Sequence, residues 1–405
     1  MPSAIIAPVL RLRDPIHGFL HADPLEAALI GSRPVQRLRW IHQLGFTFLV
    51  YPGAEHSRFS HVLGAMHLAG RVFDALLVKR PDLLPEAEKP LARRLVRAAA
   101  LLHDIGHAPF SHSAEDRFEG GIDHEEMTRR LLATPEIREL FERHGEGLAL
   151  ADVGGLLAGE VAPQRRFLTQ MISGELDVDK MDYLLRDSLF CGVRYGVYDL
   201  DRLIDTLLPV VDPENGETGL GVEAGGVHAV EALILARYYM FTQVYFNVTG
   251  KALEHHLTEW LCGERRFWPC DPERFLLEDD HSTLAAMRGS NDVHARAVVE
   301  RRHFPLAFET REHPSAVERA AVEAAVPELY ARFGPRALLV ARSAKDPHRL
   351  GSGRVLVVGE RGAPEPLERA SDFLRHLSRI DVCRIYARAE IRDEVARLLV
   401  ERLRG

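Results

Sequence analysis

The residues most able to do chemistry sit in three clusters of histidine and carboxylate. The tightest is Leu102-His103-Asp104-Ile105-Gly106-His107, followed by Ala108-Pro109-Phe110-Ser111-His112. An imidazole and a carboxylate side by side at a helix end can both reach one divalent ion. That mixed N/O set suits iron, manganese, nickel, cobalt or zinc better than a site requiring thiolates, and magnesium remains open. Upstream stands His56-Ser57-Arg58-Phe59-Ser60-His61, and downstream Asp177-Val178-Asp179-Lys180-Met181-Asp182-Tyr183. An isolated His-Asp pair is usually surface polarity; the three clusters in the order H…HD…D are what give the pair weight. His61, His103, Asp104 and Asp179, drawn from three helices, would leave open positions on a six-coordinate ion for water and a phosphate oxygen. Such an ion polarises a phosphoryl group and brings the pKa of bound water toward neutrality.

Histidines beyond those ligands can move protons at neutral pH. Cleavage of a phosphoester expels an alkoxide that needs a proton donor. His112, with Glu115 near it in sequence to orient it, is the expected general acid. His124 and His107 are expected either to assist it or to serve as hydrogen-bond partners. Residues 179, 183 and 187 are four apart and share one helix face. Asp179 would hold the ion there, with Tyr183 and Asp187 reaching toward a sugar. Arg58 and Lys180 are suited to phosphate oxygens, the first as a fork and the second as a point charge. A solvated charged face would account for Lys180 and Asp182 taken alone.

These groups need a mainly helical scaffold. Apolar spacing predicts helices over 24–30, 34–44, 59–79 and 86–105, with Gly106 stopping the last through left-handed geometry. Others are expected over 125–132, 135–143, 164–173, 179–191 and, as one long aromatic-rich helix, 227–261. Its Tyr238, Tyr239, Phe241, Tyr245 and Phe246 read as core or subunit interface. The Asp14-Pro15-Ile16-His17-Gly18 segment reads as a tight turn, 47–51 as a short β-prone run, and 210–222 as a hairpin about Asn215-Gly216. After about residue 264 the character changes. Strands near 337–341, 354–358 and 383–387, an exposed loop at 359–366 and a last helix over 391–403 suggest a small α/β appendage. The fold class expected is therefore mainly α, with a helical body over 1–262 and a mixed α/β region over 263–405 for oligomerisation or an effector.

The 405 residues suffice for a large core, and 46% hydrophobic with 27% charged residues is ordinary for a globular protein. A net charge of −8 argues against general nucleic-acid binding, which needs a basic surface. Cys191, Cys262, Cys270 and Cys383 form no CxxC pair and read as reduced thiols. The first residues lack a secretory pattern and no run is expected to approach a membrane span, so a cytoplasmic location and no membrane partner are expected.

With these motifs in place, the chain resembles the HD-domain phosphohydrolases, and within them the dNTP triphosphohydrolases. The resemblance rests on Arg13-Asp14-Pro15-Ile16-His17-Gly18, on Gln36-Arg37-Leu38-Arg39 through Gln43-Leu44-Gly45, on Tyr51-Pro52-Gly53-Ala54 through His61-Val62-Leu63-Gly64, and on residues 102–112 and 177–187. It covers roughly 10–260. It implies cleavage between the α-phosphate and the 5′ oxygen, giving a deoxynucleoside and inorganic triphosphate. His61, His103, Asp104 and Asp179 would be the metal ligands, and His112 and His124 the catalytic histidines. Gln43, Leu44, Arg58, Lys180, Tyr183 and Asp187 would contact the nucleotide. It also implies a homo-oligomer, dimer or tetramer, and a nucleotide effector. The family's effector site uses an acidic residue where this chain has Gly31, beside Gln36 and Arg39, so guanine-specific activation is expected to be lost. No SAM-like domain is expected ahead of the HD core.

Overall fold

The computed structural model describes residues 10–346, 355–359 and 363–404, with all of their side chains except His112 and Arg404. The Arg58–Lys79 helix is the central strut of the helical body. Phe59, Val62, Met66, Ala69, Phe73 and Leu76 recur every three to four residues along it and are all buried, the spacing of one apolar helical stripe. It packs against Lys89–Leu102 and Val178–Cys191, so the three elements expected to carry the ligands meet in one layer. By length and composition it would pass for a membrane span, contrary to expectation, but most of it is buried inside the protein.

Two glycines permit close approaches that position the site. A Cβ on Gly64 would lie 1.9 Å from Asp182 Oδ1, and one on Gly106 would lie 2.2 Å from the His124 carbonyl oxygen. The expected role of Gly106 is thereby corrected. Its helix ends at Leu102, Gly106 is not among the residues of positive φ, and the glycine is required because the start of the His124–Leu132 helix lies against it.

Other expectations are corrected by tertiary context. The predicted 34–44 helix is a turn of α-helix, Arg33–Arg37, and a 3₁₀ turn, Leu38–Trp40; beyond it His42 is drawn into a bridge with Ser57. The β-prone 47–51 run is a 3₁₀ helix, Gly45–Leu49, entered through Gly45 at φ +52° against the Phe110 carbonyl. The single helix over 227–261 is two, Val227–Met240 and Val248–Gly263, separated by a π-helical turn at Phe241–Tyr245. Asn247 starts the second by accepting the Thr249 and Gly250 N–H groups, a cap readable from its residue type.

The turn expected at Asp14–Gly18 joins a hairpin, Leu10–Asp14/Gly18–Ala22, and the expected hairpin about Asn215-Gly216 forms as Leu207–Val211/Thr218–Glu223. In the C-terminal region Ile380–Ala387 is the centre of an antiparallel three-stranded sheet with Leu306–Glu309 and Leu338–Lys345. Helices Ala316–Phe333 and Arg392–Arg404 cover it around a separate core of Val322, Leu329, Leu338, Ile385, Val395 and Leu399. The fold is mainly α with a small α/β region. Packing is continuous across the expected boundary at 262/263, because Trp268, Phe275, Met287 and Val298 belong to the core of the body. Leu356–Val358 also leaves the C-terminal sheet and pairs in parallel with Thr218–Glu223. Of the loop expected at 359–366, residues 360–362 lie outside the described residues and Glu365–Pro366 pair with Leu356–Val357.

Near the junction of the two cores lies a buried histidine pair. His256 Nδ1 is 2.9 Å from His294 Nδ1, and His256 Nε2 accepts the Phe304 N–H at 3.0 Å. Burial and the mutual repulsion of the rings depress the pKa of His256 to about 3, and burial that of His294 to about 4. Unfolded histidines take protons near pH 6.5, so the unfolded chain binds more protons between pH 6.5 and those values. The contribution of the pair is fully present above pH 6.5 and falls as pH drops, by up to about 1.4 kcal/mol per unit for each ring. The stability gap between wild type and the double variant His256→Gln, His294→Gln should narrow from pH 7.5 to 5.5 in urea unfolding. A gap independent of pH would refute the assignment.

Candidate functional site

A cavity of ≈ 990 Å³ opens beside the three central helices. At its floor His61, His103 and Asp179 bring one donor atom each within 4.8 Å of one another, the group of that kind found among the described residues. His61 Nε2 lies 3.0 Å and His103 Nε2 3.7 Å from Asp179 Oδ1. Asp104 is beside them, with Oδ1 3.2 Å from His103 Nε2 and Oδ2 3.8 Å from His61 Nε2.

Neighbouring hydrogen bonds fix what those atoms carry. His103 Nδ1 donates to the Ala100 carbonyl at 2.8 Å, leaving a lone pair on Nε2. His61 Nδ1 donates to Asp182 Oδ2 at 2.8 Å, with the same result. Both Nε2 atoms are buried without a hydrogen-bond partner. In the neutral rings the Nε2 lone pairs thus face carboxylate oxygens, an arrangement a divalent cation would satisfy; without one, Asp179 and Asp182 raise the His61 pKa to about 10 against the opposing effect of burial and favour a proton there. The donor set fits nitrogen- and oxygen-preferring metals.

Asp182, which spacing alone left as a solvated residue, is completely buried. Its Oδ1 accepts from His17 Nε2 at 2.7 Å and Arg186 Nη2 at 2.8 Å; its Oδ2 accepts from His61 Nδ1 and Arg186 Nε, each at 2.8 Å. Four donors fill the four lone-pair sites of one carboxylate. Burial opposes its charge, but Arg186 and the two histidines outweigh it and hold the carboxyl well below the usual carboxylate range. Arg186 is closed on its other side by Asp14 at 2.8 Å. The available signals were the Asp182/Arg186 spacing of four and the need of a ligating histidine for an acceptor behind it.

The other expected residues fall into place unevenly. Arg58 opens its helix and is turned onto Asp104 and the Ser111 hydroxyl. Lys180 bonds the Gly174 carbonyl and Asp177 at the pocket edge. Glu115, expected to orient His112, bonds His124 Nδ1, and it raises the His124 pKa against the opposing effect of burial. The His112 side chain lies outside the described residues. His107 stacks on His124 with ring centroids 4.3 Å apart, and its Nδ1 is 3.3 Å from Asp104 Oδ1. Gln43, Leu44 and Tyr183 line the cavity. Asp187 is there too, but its oxygens are held by His56 Nε2 at 2.7 Å and the Tyr245 hydroxyl at 2.8 Å. Both of its oxygens are thus engaged within the protein.

Tyr245, Phe241 and Phe246, expected to be core or interface, form a pocket wall with Arg237. The π-helical turn that aims them there is not readable from spacing. At the expected effector position, a side chain on Gly31 would meet open space. Gln36 bonds the Ile30 carbonyl and accepts from Arg39, whose guanidinium lies 3.6 Å over the Phe59 ring.

Residues 58–187 match the HD domain family and residues 198–309 the HD associated region. The chain belongs to the HD-domain family. It is 39% identical over 251 residues to the uncharacterized protein YwfO of Bacillus subtilis, covering 62% of this chain and 54% of that one. To the deoxynucleoside triphosphate triphosphohydrolase SAMHD1 homolog of Dictyostelium discoideum it is 32% identical over 284 residues, covering 65% and 52%. The chain spans about half the length of these curated relatives. A crystal structure of a hypothetical protein from Aquifex aeolicus superposes with a TM-score of 0.81 at 29% identity, over 96% of this chain and 99% of that one.

Proposed function

We propose that this protein hydrolyses deoxynucleoside triphosphates to deoxynucleoside and inorganic triphosphate, using a divalent ion held by His61, His103, Asp104 and Asp179. The carrying observation is the convergence of His61, His103 and Asp179, with Asp104 beside them, at the base of a pocket whose walls include Arg129, Arg166, Lys180, Arg237, Lys251 and Lys345. These cations suit a polyphosphate; Glu125, Glu160, Glu175, Asp177 and Glu254 lie among them, and Lys180, Lys251 and Arg237 are paired with Asp177, Glu254 and Glu175. When bound, the ion would polarise the α-phosphoryl group and lower the pKa of a water.

The chain's own groups supply the rest. Water adds to the α-phosphorus, the bond to the 5′ oxygen breaks, and the leaving oxygen takes a proton. His112 is the proposed donor, and the Glu115–His124–His107 array provides a second route for the proton. Arg58 keeps Asp104 in place and, with Lys180, balances phosphate charge. Tyr183, packed against Tyr245 with ring centroids 6.3 Å apart, and Asp187 behind it would crowd a 2′-hydroxyl.

The test is initial rate and product for each dNTP and NTP with a series of divalent metals. Triphosphate release is expected, with dATP turned over at least about tenfold faster than ATP and little stimulation by GTP. Monophosphate release would move the chain to another HD chemistry, and binding without turnover would make it a nucleotide sensor. Equal rates on ATP and dATP would remove the sugar reading.

A further inference from the structure

The region beyond the HD domain reaches back into the catalytic turn through one carboxylate. Asp280 begins the Asp280–Gly289 helix and is 1% exposed. Its Oδ1 accepts the Phe110 N–H at 2.7 Å, while its Oδ2 accepts the His42 backbone N–H at 2.8 Å and contacts His42 Nδ1 at 2.7 Å. Phe110 and Ser111 have φ of 57° and 59°, two successive non-glycine residues in the left-handed region. Such conformations persist where the surroundings over-determine them. Here the surroundings are the Asp280 carboxylate and the Phe46 ring, stacked on Phe110 at 4.1 Å.

The strained turn is wired to the site. The Ser111 hydroxyl donates to the His42 carbonyl at 3.0 Å and accepts from Arg58 Nε at 2.9 Å, and Arg58 holds Asp104. Arg37 braces the same loop, binding the Glu278 carbonyl at 2.7 Å and the His107 carbonyl at 2.9 Å. Residues 278–280 thus grip the catalytic loop at both ends.

We infer that Asp280 is a positioning residue for this site: it fixes the Phe110–Ser111 turn from which His112 departs and, through Ser111 and Arg58, the placement of Asp104. The kinetic consequence rests on the function proposed above; the mechanical coupling does not. Three variants of the full chain, Asp280→Ala, Asp280→Asn and Thr283→Val, test both by amide hydrogen exchange and steady-state kinetics on dNTPs. In Asp280→Ala, exchange across residues 106–116 should accelerate at least about tenfold, and kcat should fall about 10–100-fold with KM within about twofold. Asp280→Asn keeps an acceptor for the Phe110 N–H and should restore most of both. Thr283, buried in the same helix, makes no side-chain hydrogen bond to the turn, and Thr283→Val should change neither.

Unchanged exchange at 106–116 in Asp280→Ala, a loss confined to KM, no rescue by asparagine, or the same effect from Thr283→Val would each overturn the inference. If Asp280→Ala does not fold, Asp280→Asn carries the test: a smaller acceleration localised to 106–116 supports the coupling, and a uniform or absent one overturns it. If the wild type turns over no dNTP, the proposed function fails and the exchange result alone decides the role of Asp280.

Discussion

His103→Ala and Asp179→Ala are expected to abolish dNTP turnover and to release the divalent ion, while leaving the protein folded. Each removes one of the donor atoms gathered within 4.8 Å on the pocket floor. Losing a hydrogen-bond partner behind a ligand commonly costs 10–100-fold in metal affinity, and losing the ligand itself should cost more. Neither side chain holds the core together. His103 is tied by its single hydrogen bond to the Ala100 carbonyl, and Asp179 stands in the first turn of its helix, with its side chain 33% exposed. Metal analysis of the purified variants, beside a urea midpoint near that of wild type, checks the expectation. Full activity with unchanged metal content in either variant would end the metal assignment.

Asp182→Ala should be the more damaging change to the fold. It leaves the Arg186 guanidinium buried with Asp14 as its remaining carboxylate partner, and breaking a buried ion pair from one side typically costs about 3–5 kcal/mol. It also removes the acceptor that fixes the His61 tautomer, so metal affinity should drop by roughly 10–100-fold. The two effects separate in a second variant. Asp182→Leu combined with Arg186→Met removes both charges, and such apolar replacements often recover stability; the metal affinity should stay low. Urea unfolding and metal titration of both variants decide the matter. An Asp182→Ala protein that unfolds like wild type and binds metal as tightly would show that the carboxylate is incidental.

How far the sequence could be read depended on the range of the forces involved. The helices bearing His61, His103 and Asp179 follow from apolar spacing, and the ligands from residue types at helix ends. Three of the four candidate ligands, His61, His103 and Asp179, gather within 4.8 Å, and Asp104 lies beside them. The partners behind them were less legible, because they join segments distant in sequence: His17 with Asp182 and His56 with Asp187. No periodicity encodes such a pairing; only the demand of a buried charge or ring nitrogen for a partner hints at it. Asp182 shows the limit clearly, since an i,i+4 Asp-Arg pair looks the same on a solvated face as in a core. The break at Phe241–Asn247 was missed for a different reason. An apolar, aromatic run continues through it, and only the capping asparagine marks where the helix restarts. The path of Leu356–Val358 back to the body depends on edge pairing with a hairpin more than 130 residues earlier, which local pattern does not report.

The facing lone pairs on the pocket floor have a thermodynamic side. His61 Nε2 and Asp179 Oδ1, held 3.0 Å apart, form a contact that folding creates and that a positive charge must bridge, a proton on the ring or a metal ion in its place. The native chain alone offers this geometry, so any ion seated there stabilises the folded state by mass action, about 2.7 kcal/mol at a hundredfold excess over the dissociation constant. The same few atoms therefore link the lifetime of the folded protein to the free metal concentration around it. A cell short of that metal would hold not merely idle copies of this protein but more fragile ones.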